Sequence, residues 1–124
     1  MASLYKRMAV LILFSMVFTF AGANEVKIVN VKVKCRVDCT FSVTLEHADT
    51  GWDHYANQWD VVTLDGKVLK SRVLYHPHVD EQPFTRSLSG VSIPKEIKQV
   101  KIRAKDLKHG YSKQEFLVDL PERL

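Results

Sequence analysis

Gln58-Trp59-Asp60-Val61-Val62-Thr63-Leu64-Asp65-Gly66-Lys67-Val68-Leu69-Lys70-Ser71-Arg72-Val73-Leu74-Tyr75 is the stretch that decides the fold. Two runs rich in β-branched and aromatic residues, 58–64 and 67–75, flank Asp65-Gly66, and such residues suit a pleated, half-buried surface. A tight hairpin needs positive φ in its turn, which Gly66 adopts without steric penalty. The segment predicts an antiparallel hairpin, with Trp59 as the large residue that fills the space between two sheets.

The same period-two grammar continues on both sides. Upstream, Phe41, Val43 and Leu45 alternate with Thr40, Ser42, Thr44 and Glu46, the pattern of a strand with one face on a core. Before it, Val26 and Ile28 share one parity while Val31 and Val33 take the other, which predicts a bulge near Val29-Asn30. Downstream, residues 84–93 form a strand ended by Pro94. Residues 99–105 then place Val100, Ile102 and Ala104 inward and Lys101, Arg103 and Lys105 outward, and Phe116, Val118 and Leu120 mark a last strand. With no helical period after the N-terminal segment, about seven short strands in roughly 100 residues predict an all-β chain, a small immunoglobulin/fibronectin-like antiparallel β-sandwich. A small open barrel is the structural alternative.

Residues 1–23 have the order of a cleavable signal peptide: a basic start at Lys6-Arg7, an apolar run from Met8 to Phe20, and the small residues Ala21-Gly22-Ala23. As a helix that run would cover roughly 20 Å, short of the ~30 Å hydrocarbon core, so no permanent membrane anchor is expected. The expected cut follows Ala23, leaving 24–124 as a single domain, and no Cys follows it to carry a lipid. Without Lys6 and Arg7, 16 basic residues face 14 acidic ones. That balance gives no reason to expect nucleic acid as a partner. Export implies an oxidising compartment, the periplasm if the cell is Gram-negative, where Cys35 and Cys39 are expected to bond to each other.

In a chain of up-and-down strands, successive loops alternate between the two ends. Connections one, three and five (36–38, 65–66 and 94–96) are short and plain, whereas connections two, four and six (48–55, 76–83 and 106–112) are long and polar. All five histidines, His47, His54, His76, His78 and His109, fall in or beside the second set. Loops on a rigid sandwich are where binding function concentrates. In His76-Pro77-His78 an extended backbone would turn both imidazoles the same way, and imidazole suits Zn and Cu. His76, His78, His54 and Asp80 are therefore the candidate metal ligands. Trp52, Asp53, Tyr55, Glu81, Arg86, His109 and Tyr111 form the candidate binding surface. The structural explanation of the same residues is that His78 bonds loop backbone, Asp80 or Glu81 pairs with Arg86, and Trp52 and Tyr55 pack their loop. Ser87 and Ser89 come without a nucleophile elbow or oxyanion turn, so no catalytic residue is assigned and the protein is not expected to be an enzyme.

Two blocks, residues 51–56 (GWDHYA) and residues 76–90 (HPHVDEQPFTRSLSG), resemble those of small exported bacterial proteins of uncharacterised function. The resemblance implies export and one β-rich domain, and lends no catalytic residues. The leading expectation is an exported non-enzymatic binding domain that takes Cu or Zn at its histidine end. The alternative is a structural or protein-interaction module that recognises an envelope protein without metal.

Overall fold

The computed structural model describes residues 24–124. The signal peptide expected over residues 1–23 lies outside them. Eight strands follow in order: β1 (Lys27–Cys35), β2 (Cys39–Glu46), β3 (Ala56–Val62), β4 (Val68–Val73), β5 (Phe84–Val91), β6 (Gln99–Asp106), β7 (Gly110–Tyr111) and β8 (Phe116–Asp119). They form two antiparallel sheets, one of three strands in the order β1-β2-β5 and one of five in which β4-β3-β6 is continued by β7 and β8. The expected β-sandwich is thus observed, with no helix among the described residues. The strand that the sequence pattern missed is β7, whose two residues are too few to show a period.

The register bears the local readings out. The β1–β2 ladder slips between Ile28 and Asn30, where the change of parity predicted a bulge. Between β3 and β4, Gly66 takes φ +96° and its amide donates to the Thr63 carbonyl at 2.9 Å. Cys35 and Cys39 are bonded to each other across the β1–β2 turn.

Phe41, Val43 and Leu45 from one sheet meet Trp59, Val61, Val100, Ile102 and Ala104 from the other, all buried. Trp59 is fully buried among them, as expected. Truncating such a side chain to Ala costs about 3–5 kcal/mol. Where β4 and β5 leave the sandwich open, Lys70 donates to the Ser89 carbonyl at 2.8 Å and Arg72 to the Ser87 carbonyl at 2.9 Å. These cations occupy edge carbonyls that would otherwise be open to a further strand.

The chain crosses between sheets after β2, β4 and β5, and the alternation of ends survives every crossing. The loops 47–55, 74–83 and 107–109 gather at one end, where the Leu107 amide donates to the Tyr55 carbonyl and the His78 amide to Asp49. At the opposite end Arg123 donates to the carbonyls of Pro94 and Ile97, and the Leu124 amide to that of Arg36.

Candidate metal centre

His47 follows β2 on the inward parity of Phe41, Val43 and Leu45, and Asp106 closes β6 on that of Val100, Ile102 and Ala104. Each is the last inward position before its loop, so the core delivers an imidazole and a carboxylate to one buried spot. His54 reaches it from the β2–β3 loop, where the Gly51–His54 bridge folds the chain back. His47, His54 and Asp106 each place one donor atom within 4.8 Å of the others. His47 Nε2 lies 3.4 Å from Asp106 Oδ2, and His54 Nε2 lies 3.6 Å from Asp106 Oδ1. Both separations are long for hydrogen bonds. They are close to the ~3.4 Å donor–donor edge of a tetrahedron whose metal–ligand arms are ~2.0–2.1 Å.

Hydrogen bonding to each nitrogen sharpens the geometry. His47 Nδ1 and Asp49 Oδ1 are 2.6 Å apart, with both side chains buried. A proton on Nδ1 donated to that carboxylate leaves Nε2 as the atom facing Asp106, the arrangement by which an outer carboxylate orients a metal-bound imidazole. Nε2 also faces the Asn24 carbonyl at 3.1 Å. A lone pair directed at two oxygens would be repelled, so this nitrogen carries a proton or a metal ion. His54 Nε2 is buried and has no hydrogen-bond partner, an arrangement that costs about 1–3 kcal/mol unless something satisfies it. Asp106 Oδ1 accepts from the amides of Lys108 and His109 at 2.8 and 2.6 Å, which fixes the carboxylate from its loop side.

Of the ligands expected from sequence, His54 belongs to this cluster, whereas His76, His78 and Asp80 lie on the neighbouring loop. The His76 and His78 rings do come together, with centroids 4.6 Å apart, but their surroundings differ. His76 is exposed, with Nδ1 3.2 Å from the Pro77 carbonyl. His78 is buried, stacks on Phe84 at 3.9 Å, and accepts a 2.8 Å hydrogen bond from Arg86 at Nε2. Burial first, and then the Arg86 and His76 charges, hold His78 below the ordinary imidazole value of 6.5. Its amide donates to Asp49 Oδ2 at 2.8 Å, so Asp49 ties this loop to His47.

Glu81 sits 3.6 Å from Arg86, the pairing that the structural explanation anticipated. Asp80 and Asp53 are exposed. Trp52 and Tyr55 meet edge to face at 5.8 Å, though Trp52 remains 67% exposed. Trp52 also lines a shallow groove with Gly51, His76, His78, Asp80 and Glu81. His109 borders the metal-ligand cluster, whereas Tyr111 lies apart from it on the outer face of the five-stranded sheet. There Tyr111 donates to Asp60 at 2.6 Å beneath the Arg103 guanidinium, whose carbon is 4.1 Å from the ring centroid.

A protein of Halomicrobium mukohataei named "Putative lipoprotein" is 46% identical over 79 residues, 64% of this chain. The chain spans 38% of that relative's length. No family model matches the chain. No solved structure matches it either.

Proposed function

We propose that this protein is an exported, non-enzymatic binding domain that holds a transition-metal ion, Zn or Cu, between His47, His54 and Asp106. The observation that carries the reading is His54 Nε2, buried without a hydrogen-bond partner and 3.6 Å from a buried carboxylate oxygen that faces a second imidazole. Imidazole and carboxylate donors suit both ions. The Asp49 carboxylate behind His47 supplies the orienting outer contact that such sites use. Export is supported by the sequence of residues 1–23 and by the name "Putative lipoprotein" of the Halomicrobium relative.

A second reading, a metal-free interaction module of the envelope, is favoured by Asp49. This buried carboxylate accepts from His47, Ala56 and His78 and so braces two loops without any ion.

Metal content and titration separate the two. The protein, expressed from its full chain and purified without a histidine tag, is expected to bind one equivalent of Zn or Cu, to lose it on His54→Ala, and to retain it on His76→Ala. If the parent protein binds neither ion while remaining folded, the metal reading falls and the interaction module stands.

A further inference from the structure

The cluster has a third imidazole on its open side. His109 Nδ1 lies 3.2 and 3.3 Å from the two oxygens of Asp106. Its ring centroid is 5.0 Å from that of His54. Nitrogens of His47, His54 and His109 therefore stand 3.4, 3.6 and 3.2 Å from oxygens of one buried carboxylate. In a tetrahedral centre every nitrogen ligand stands ~3.4 Å from the oxygen ligand. The three imidazoles approach Asp106 at about that spacing, His47 at Oδ2, His54 at Oδ1 and His109 at both oxygens.

We propose that His109 is the fourth ligand of this centre, completing a set of three nitrogens and one oxygen for a divalent ion, Zn(II) or Cu(II), which enters and leaves past the His109 side chain. The inference rests on the metal-binding reading above.

Burial is graded across the four residues. The side chains of His47 and Asp106 are 1% and 0% exposed, that of His54 15%, and that of His109 38%. The inner ligands are held by strand ends and by Asp49. The outer one sits in the 107–109 loop, whose first turn is pinned by the Lys108 and His109 amides on Asp106 Oδ1. His109 lies outside the group whose donor atoms are all within 4.8 Å of one another, so its exposed side chain must rotate to join them.

Donor chemistry selects the oxidation state. Soft thiolate and thioether donors select Cu(I). Here all three methionines, Met1, Met8 and Met16, precede residue 24, and both cysteines are spent in the Cys35–Cys39 bond. An imidazole and carboxylate set instead suits Zn(II) and Cu(II).

The test is Cu(II) electron paramagnetic resonance on the protein and on His109→Ala, with Zn(II) affinity of both measured by chelator competition and far-UV circular dichroism confirming the fold. The parent protein is expected to show hyperfine coupling to three nitrogens and His109→Ala to two. His109→Ala is also expected to bind Zn(II) at least tenfold more weakly and to release it faster. Metal binding by the parent with two coupled nitrogens, and a variant unchanged in affinity and release, would overturn the role of His109 while leaving the centre in place. Preference for Cu(I) over Cu(II) would overturn the donor set. A folded parent protein that binds neither Zn(II) nor Cu(II) would overturn both this inference and the reading it rests on.

Discussion

Asp60 and Asp106 are both fully buried carboxylates, yet their surroundings have little in common. Asp60 lies on the outer face of the five-stranded sheet and is closed over by its neighbours. Gln58 and Ser71 donate to Oδ1 at 2.8 and 2.6 Å, and Arg103 and Tyr111 donate to Oδ2 at 2.9 and 2.6 Å. Asp106 lies at a strand end. Two backbone amides satisfy Oδ1 at 2.8 and 2.6 Å and His109 Nδ1 makes long contacts to both oxygens at 3.2 and 3.3 Å, while His47 Nε2 at 3.4 Å and His54 Nε2 at 3.6 Å stand beyond ordinary hydrogen-bond length. One carboxylate has its donors in contact and its charge matched by Arg103. The other is ringed by imidazoles at the spacing of common ligands. A buried charge with a complete set of short donors stabilises a fold, and one whose donors stand back has room for an ion between them.

The largest effect that would break this contrast concerns metal affinity. Removing an outer hydrogen-bonding partner of a metal ligand typically weakens binding by ~10–100-fold, so loss of a direct ligand in His54→Ala should exceed about a hundredfold by chelator competition. Asp60→Ala should leave that affinity unaltered. If both variants weaken binding equally, the two carboxylates are not functionally distinct.

Stability reverses the order. Asp60→Ala strands Arg103, Tyr111 and Ser71 without their acceptor. Breaking a fully buried ion pair costs ~3–5 kcal/mol, and Arg103 keeps about a quarter of its side chain in water, so a loss of about 2–3 kcal/mol in urea unfolding is expected. A loss under ~1 kcal/mol would show the Asp60 cluster to be incidental.

Most of the fold was legible because period-two alternation, one bulge and one Asp-Gly turn each have a single structural solution in a half-buried strand. The gathering of the loops at one end was legible for the same reason, since the strands from β1 to β7 alternate direction regardless of which sheet they join. The composition of the centre was less so. His76-x-His78 attracts attention because its members are two residues apart, but whether an imidazole is free to bind depends on what packs against it, and His78 has its face on Phe84 and Nε2 on Arg86, leaving only Nδ1, 4.0 Å from Asp49, without a partner. The signal pointing to His47 and Asp106 was present in the parity: each is a polar residue at the end of an otherwise apolar inward face. His54 and His109 could be assigned only to loops, because no periodicity tells where a loop side chain points.

Acid unfolding sharpens the comparison further. Burial disfavours the Asp60 carboxylate, but donors from Ser71, Tyr111, Gln58 and Arg103 more than offset it, holding Asp60 below its ordinary value of 3.8. The native state therefore binds fewer protons than the unfolded chain just below pH 3.8. The Asp60 contribution is fully present above that pH and is lost as pH falls through the lowered value. Stability measured between about pH 5 and 2 should fall less steeply in Asp60→Asn than in the parent protein. Equal slopes would mean that another carboxylate dominates the acid limb.

The smallest effect is also the most discriminating. Asp106→Asn keeps a side-chain oxygen to accept from the Lys108 and His109 amides, so the turn after β6 retains its cap. What it removes is the negative charge that would hold a cation among His47, His54 and His109. If Asp106 serves the ion, Asp106→Asn should unfold within about 1 kcal/mol of the parent protein in chelator, while binding Zn(II) far more weakly and gaining less thermal stability when Zn(II) is added. If Asp106 is instead a structural carboxylate like Asp60, the order inverts, with a loss of several kcal/mol in chelator and no separate effect of Zn(II).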